Sequence, residues 1–383
     1  MELSVVMPCL NEADTLGTCI RKAQGTMREA GIDGEVIVAD NGSTDGSVEI
    51  AERLGARVVR VEAKGYGNAL SGGFAAARGR FVLMGDADDS YDFREIPRFV
   101  ATLRDGADLV QGCRLPAGGG TVLPGAMPFL HRVWGNPMFS FLARRMFRAP
   151  VHDIYCGLRG FRREFQAALA QRCTGMEFAT EMIIKASLAG GRFAEVPVTL
   201  HPDGRKAHAP HLRTFRDGWK TLRFFLMSSP RWLFLVPGSV LVAAGAVGFA
   251  LALPGVRVFG ARLDVHTMLV AALSVLLGFN LVVFALCAKV FGIAEGFLPP
   301  DPRIDAFFRR VRLEHGLVAG SASFLAGVAL IAVAAGAWWR AGFGDLDYPR
   351  TMRWVVPGTL LAALGFQAVL ASFLVSLLAM GRR

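Results

Sequence analysis

The 383-residue sequence contains no C-x-x-C pair. Its six cysteines, Cys9, Cys19, Cys113, Cys156, Cys173 and Cys287, are scattered at spacings that fit neither a zinc site nor a disulfide framework. Reduced, mostly buried thiols in a cytosolic compartment are expected. No basic n-region precedes the strand-like opening LSVVMP, so no cleavable signal is expected. Neither G-x-G-x-x-G nor G-x-x-x-x-G-K-[ST] occurs; GYGNAL at 65–70 lacks the third glycine, which disfavours dinucleotide and P-loop readings. The net charge of +10 comes without a zinc-finger, helix-turn-helix or RNA-binding signature, and no nucleic-acid partner is expected. Internal repeats are absent, and low complexity is confined to AGGG. Charged residues are scarce as well, at 19% against 52% hydrophobic, with a mean hydropathy of +0.39. That is too apolar for an ordinary water-soluble chain of this length.

The apolar excess is concentrated. Residues 231–383 contain four runs, about 232–253, 267–292, 317–339 and 354–379, each long enough to cross ~30 Å of hydrocarbon as a helix. The same residues hold 13 Lys+Arg and 7 Asp+Glu, so most of the net positive charge gathers where anionic headgroups attract it. Thirteen Lys/Arg flank one end of the spans against five at the other. The charge rule therefore puts the preceding residues and both termini on the cytoplasmic side of an integral, multi-pass membrane protein. The segment 211–230 spaces Leu212, Phe215, Trp219, Leu222 and Phe225 at helical intervals, with Arg213, Arg216, Lys220 and Arg223 between them. This predicts an amphipathic helix on the bilayer surface; packing on the preceding domain is the competing expectation. Small-residue spans favour helix–helix packing, and a homo-oligomer is left open.

Residues 1–210 read differently. LSVVMP, EVIVAD, ARVVRVE and RFVLMGDAD are strand-like and alternate with helical stretches, the first over 11–31 with Asn11 or Asp14 as cap. This pattern predicts an α/β fold, a mostly parallel sheet with helices on both faces and ligands beyond the carboxyl ends of its strands. Asp40 and the run Asp86, Asp88, Asp89 then share that edge. Carboxylates so crowded repel one another unless a cation sits among them. If the chain stays extended, Asp86 and Asp88 point to one face. A hard divalent ion, Mg²⁺ or Mn²⁺, suits such a pair, since Mg²⁺ takes one or two carboxylates and leaves positions for substrate phosphates. Asp40 offers an acceptor for the imide N–H of uracil or the Watson–Crick edge of guanine.

In their order, VVMPCLNEADTL, VIVADNGSTDGS, KGYGNALSGGFAAARGRFVLMGDAD and CGLRGFRRE resemble glycosyltransferase family 2, in particular its polyprenyl-phosphate sugar synthase branch. The resemblance covers about residues 3–210. It implies a GT-A fold and inverting transfer of a hexose from a nucleotide-diphosphate sugar to a polyprenyl phosphate at the bilayer. Carried over by residue, it implies that Pro8, Asn11, Glu12, Asp40 and Lys64 contact the nucleotide sugar. Asp86 and Asp88 are implied as metal carboxylates, Asp86 also facing the donor, with Ser90 where some relatives have a Gln ligand. Arg114, Arg132 and Arg205 are implied on the lipid phosphate, with Arg114 and Arg132 counted in the catalytic set beside Asp86 and Asp88.

Several polar residues stay open between substrate contact and structural pairing: Asp153, Glu177 and Glu181. His201, His208 and His211 lack the partners of a zinc site, and HPDGRKAHAPH reads as a lid over the phosphates. Rival readings are a same-fold transferase acting on diacylglycerol or a polysaccharide, and a non-catalytic flippase or scaffold component. A processive polymerase is disfavoured because Ser228 stands where such enzymes carry the Gln of Q-x-x-R-W.

Overall fold

A computed structural model of the chain describes residues 1–204 and 214–380 and divides into two compact units, Met1–Phe225 and Leu226–Arg383. Arg205, His208 and His211 lie outside the described residues.

In the first unit, strands β1 (Leu3–Cys9), β2 (Gly34–Asp40) and β3 (Arg57–Arg60) alternate with helices α1 (Leu16–Glu29), α2 (Ser47–Arg53) and α3 (Tyr66–Ala76). β4 (Phe81–Met84), α4 (Ile96–Arg104) and β5 (Leu109–Cys113) follow. Beyond a short β6 (Thr121–Val122) come α5 (Asn136–Phe147), β7 (Arg159–Arg162), α6 (Arg163–Ala168), α7 (Glu177–Leu188), β8 (Phe193–Pro197) and β9 (Thr199–Leu200). Seven strands form one sheet in the order β3-β2-β1-β4-β7-β5-β8. All neighbours are parallel except β7, which runs antiparallel to both β4 and β5.

Side-chain alternation explains the layers. Leu3, Val5 and Met7 of β1 face a core with Leu16, Ile20 and Phe99, whereas Val6 faces the opposite core with Leu70, Phe74 and Phe178. Both sheet faces are therefore covered, as expected for a mainly parallel sheet. α3 can lie close because Gly73 has no Cβ: one placed there would collide with Val6.

Two local expectations are corrected. α1 begins at Leu16, five residues after Asn11, and neither Asn11 nor Asp14 caps it; the N-cap position falls to Thr15. Asn11 sits at φ +59° with its amide oxygen accepting from Thr44 N–H (2.8 Å), so residues 11–14 form a loop instead of a first turn. Nor does the chain stay extended through Asp86–Asp88. β4 ends at Met84, and Asp88 accepts from the Ser90 N–H (3.0 Å) and hydroxyl (2.6 Å), closing a turn.

α8 (Thr214–Met227) is as amphipathic as its spacing predicts. Within the first unit, Phe225 is fully buried, edge-on to Phe139 and Phe147 of α5, while Trp219 stays 62% exposed. One face of the helix packs on the domain and another remains open.

The second unit contains α9 (Val236–Ala252), a hairpin of β10 (Arg257–Val258) and β11 (Ala261–Arg262), α10 (Val265–Ala294), α11 (Pro302–Arg310), α12 (Leu313–Arg340) and α13 (Tyr348–Met380). Four helical segments are long and apolar enough to span a bilayer: Arg231–Ala252, Val265–Ala294, Leu313–Arg340 and Tyr348–Met380. α9 pairs with α10, α12 with α13, and α13 also with α10. Glycines seven residues apart line two seams. Gly238 meets Gly278 across α9–α10, and Gly320 and Gly327 meet Gly365 and Gly358 across α12–α13. Packing through small residues lets the backbones touch, where lipid offers no hydrophobic drive to association.

Candidate active site

The carboxyl ends of β1, β2 and β4 converge, and each delivers one loop. β1 runs into Pro8–Glu12, with Pro8 opposite Ala39 and Cys9 opposite Asp40 in the ladder. The Asn11 N–H donates to Ser43 Oγ (2.9 Å) and the Glu12 N–H to Ser47 Oγ (3.0 Å), fastening this loop to the one after β2. Asp40 is 5% exposed, and its two oxygens accept from the Gly42 (3.1 Å) and Ser43 (3.0 Å) amides. Lys64 Nζ donates to the Asn41 carbonyl (2.6 Å), and the Gly65 N–H to the Asn41 side chain (2.8 Å). Pro8, Asn11, Glu12, Asp40 and Lys64 thus gather around two interlocked loops.

The loop after β4 is held by its carbonyls. Thr15 Oγ1 donates to Ala87 O (2.7 Å), the Gly204 N–H to Asp88 O (2.9 Å), and the His201 N–H to Ser90 O (2.9 Å). The start of HPDGRKAHAPH is therefore bonded to the acidic loop; Arg205, the next residue, is outside the described residues. Asp89, at φ +59°, turns away to pair with Lys22 (2.7 Å), which leaves Asp86 and Asp88 as the loop's remaining pair. Asp86 Oδ1 accepts from the Tyr66 hydroxyl (3.0 Å). Burial, with the Asp86 charge beside it, pushes the Tyr66 phenol well above its ordinary pKa, so the phenol keeps its proton and donates. Ser90 spends its hydroxyl hydrogen on Asp88 and buttresses that carboxylate.

Among the described residues no group of three or more His, Cys, Asp and Glu is placed to hold a metal. A divalent ion fits Asp86 and Asp88 only if substrate oxygens complete its shell, and that hard-oxygen donor set is the one Mg²⁺ and Mn²⁺ accept.

Arg114 is placed otherwise than a free phosphate ligand. Its side chain, 9% exposed, makes a forked pair with the fully buried Asp153, Nε to Oδ2 at 2.7 Å and Nη2 to Oδ1 at 2.9 Å. The remaining Nη1 donates to Tyr91 Oη (3.3 Å), which also accepts the Gly157 N–H (2.9 Å). Although burial works against its charge, Asp153 keeps the Arg114 pKa well above the ordinary value. Arg132 stands on an exposed turn between Phe129 (78% exposed) and Trp134 (62%). Among the described residues no hydrogen bond or ion pair joins it to the acidic loop. Glu181 is structural, pairing with Lys185 (3.0 Å) and accepting the Arg172 and Cys173 amides.

Sequence reasoning assigned nothing to Tyr66, Tyr91, Gly157 or Arg159. Arg159 is fully buried, and its guanidinium donates to Gln111 Oε1 (2.6 Å) and the Ala179 (2.5 Å), Ile154 (3.4 Å) and Cys156 (3.5 Å) carbonyls. Desolvation brings its pKa down to about 10, still cationic at neutral pH. It gathers the 153–157 loop beneath the site. A Cβ at Gly157 would collide with the Asp86 carboxylate, so the glycine gives that side chain its room. The one available signal was CGLRGF itself, an arginine between glycines at a strand start.

Two interlocked loops carry Asn11, Glu12, Asp40 and Lys64 beside the buttressed Asp86 and Asp88, and four long apolar helices follow in the chain. The chain belongs to glycosyltransferase family 2: residues 4–168 match Glycosyl transferase family 2, and residues 286–379 match the Glycosyltransferase family 2 C-terminal transmembrane region. It is 39% identical over 374 residues to the low-salt glycan biosynthesis hexosyltransferase Agl6 of Haloferax volcanii, covering 97% of this chain and 88% of the relative. A dolichyl-phosphate hexose transferase of the same organism is 35% identical over 218 residues, 57% of this chain and 89% of the relative. Among solved structures, glucosyl-3-phosphoglycerate synthase from Mycobacterium tuberculosis in complex with Mn²⁺ and UDP aligns at 24% identity and a TM-score of 0.45. That alignment covers 59% of this chain and 77% of the other. The protein is a glycosyltransferase with a GT-A-like domain followed by four apolar helices.

Proposed function

We propose that the enzyme transfers a hexose, with inversion, from a nucleotide-diphosphate sugar to a polyprenyl phosphate at the cytosolic face of the membrane. The observation that carries this reading is the acidic loop, where Asp86 and Asp88 are each held by a hydroxyl and stand beside the loops bearing Asn11, Glu12 and Asp40. The likeness to a dolichyl-phosphate hexose transferase supports a lipid-phosphate acceptor. The Lys/Arg bias at the span ends supports the cytosolic face.

Asp40 and the Asn11–Glu12 loop seat the nucleoside, and Lys64 lies beside its phosphates. Asp86 and Asp88 would hold Mg²⁺ or Mn²⁺, and such an ion would supply charge neutralisation for the departing diphosphate. The acceptor needs little help from a base. A phosphate monoester has its second pKa near about 6 and is largely a dianion at cytosolic pH. One phosphate oxygen forms the new bond to the anomeric carbon, and the bond to the nucleoside diphosphate breaks with its electron pair. What the protein supplies is relief of anion–anion repulsion. Arg132 and Arg205 are the cations for the lipid head. Arg114 acts one step removed, fixing Asp153 and Tyr91.

Membranes containing the enzyme are incubated with labelled nucleotide sugars, a divalent ion and polyprenyl phosphate. Label is expected in a lipid released by mild acid, lost on chelation and lost in Asp88→Ala. Label found only in diacylglycerol, or in no lipid at all, would overturn the acceptor assignment.

A further inference from the structure

The membrane unit holds a cavity of about 760 Å³, lined only by that unit's helices and the short link between α11 and α12. It lies at the end of the bundle crossed by the α10–α12 connection, bounded by α10, α11, the start of α12 and the last turns of α13. Its wall is mainly hydrocarbon, with Phe279 and Val283 from α10 and Ala371 and Val375 from α13, and Ser372 and Ser376 of α13 are its polar members. Its rim is charged. Arg309 and Arg312, both exposed, line it, and Asp305 is the single carboxylate among the described lining residues. Ala371 of α13 presents a small side chain to the space, and beside it Gly316 of α12 packs directly against Ser372 of α13.

The space opens on the surface of the helices, and a largely apolar groove of this volume facing a bilayer calls for an apolar occupant. A pure alkyl chain would account for the wall and not for the arginines. A helix of a second copy, about 10–12 Å across, would press those guanidinium groups against apolar surface without a counter-charge. Basic pockets between transmembrane helices favour anionic lipid heads, and the guanidinium fork matches phosphate oxygens two at a time. Among the described lining residues two arginines and one aspartate carry a net single positive charge, which suits the single negative charge of a phosphodiester.

We propose that this cavity binds one anionic glycerophospholipid of the bilayer, with an acyl chain along the α10–α13 wall and the phosphodiester at Arg309 and Arg312. The cavity is lined by residues of the membrane unit alone, and its occupancy can be read without activity.

Full-length protein is delipidated in detergent and titrated with phosphatidylglycerol or phosphatidylcholine under native mass spectrometry. One phosphatidylglycerol is expected to bind, at least tenfold more tightly than phosphatidylcholine. The double variant Arg309→Gln/Arg312→Gln should erase that preference, and Ala371→Trp, which fills the wall, should lower binding of the same lipid. Val375→Phe serves should the tryptophan prevent folding. Equal binding of the two lipids would overturn the proposal, as would unchanged binding in the arginine variant. So would displacement of phosphatidylglycerol by polyprenyl phosphate through the same arginines, or a change of oligomeric mass with Ala371→Trp in place of lipid loss.

Discussion

The Tyr66 hydroxyl donates to Asp86 Oδ1 at 3.0 Å, from the first turn of a helix to the loop beyond the neighbouring strand. The carboxylate proposed to meet the metal is thereby held in one orientation by a group that burial keeps protonated. Tyr66→Phe keeps the ring and removes only the donor. A hydrogen bond to a charged group is worth about 1.5 kcal/mol, so the metal concentration for half-maximal activity should rise about tenfold. A Mn²⁺ titration of initial rates checks this, with the thermal midpoint nearly unchanged.

Gly157 gives the same carboxylate its space from the opposite side. Gly157→Ala should displace Asp86, and a misplacement approaching 1 Å costs about 100-fold in turnover. The variant should still bind nucleotide, because the Asp40 and Asn11 loops are untouched. Comparing kcat with the nucleotide dissociation constant separates the two effects.

The two arginines assigned to one task should part company. Arg114 is one half of a buried forked pair, and Arg114→Met would strand Asp153, at a cost of roughly 3–5 kcal/mol in stability. Arg132 is exposed, so Arg132→Ala should leave the melting temperature alone and raise KM for the lipid acceptor. Thermal denaturation of both variants beside acceptor kinetics tests the division. An Arg114 variant that kept its stability and lost only acceptor affinity would reverse it.

Asp108 accepts forked hydrogen bonds from Arg192 (both 3.2 Å), which hold its carboxyl below the ordinary value of 3.8. A depressed folded pKa favours the ionised native state. Its contribution is complete above the ordinary value and is lost as pH falls below it toward the folded value. Asp108→Asn should therefore flatten the acid limb of stability below about pH 4 and change nothing in its slope near neutrality. Urea midpoints across pH 2–7 measure it.

Burial pushes the thiols of Cys9 and Cys113 up to about 11 and those of Cys19, Cys156 and Cys173 up to about 12. All five should resist iodoacetamide at pH 8 in the native protein and react once it is unfolded, as mass spectrometry of the alkylated peptides would show.

Much of the scaffold could be read from periodicity. β1, β2 and β4 are apolar runs ended by polar turns, and the four membrane helices declare themselves by length. The reversal of β7 could not be read, because RGFR carries no mark of strand direction. In the site, the acidic run and Asp40 are visible because charge at a strand's end is unusual. Tyr66, Gly157 and Arg159 stay hidden, since what they do depends on atoms 20 to 70 residues away that only folding brings near. Arg114 is the instructive case. Its residue type suited a phosphate, and the sequence left its partner, Asp153, open between substrate contact and structural pairing, a choice that the fold makes by setting it against the arginine.

The touching glycines of α12 and α13 have a consequence for traffic within the bilayer. Where Gly320 faces Gly365 and Gly327 faces Gly358, no gap as wide as a methylene chain separates the two backbones. An isoprenoid tail or acyl chain sliding past this unit is therefore barred from that joint and must find its lane elsewhere on the surface of the helices.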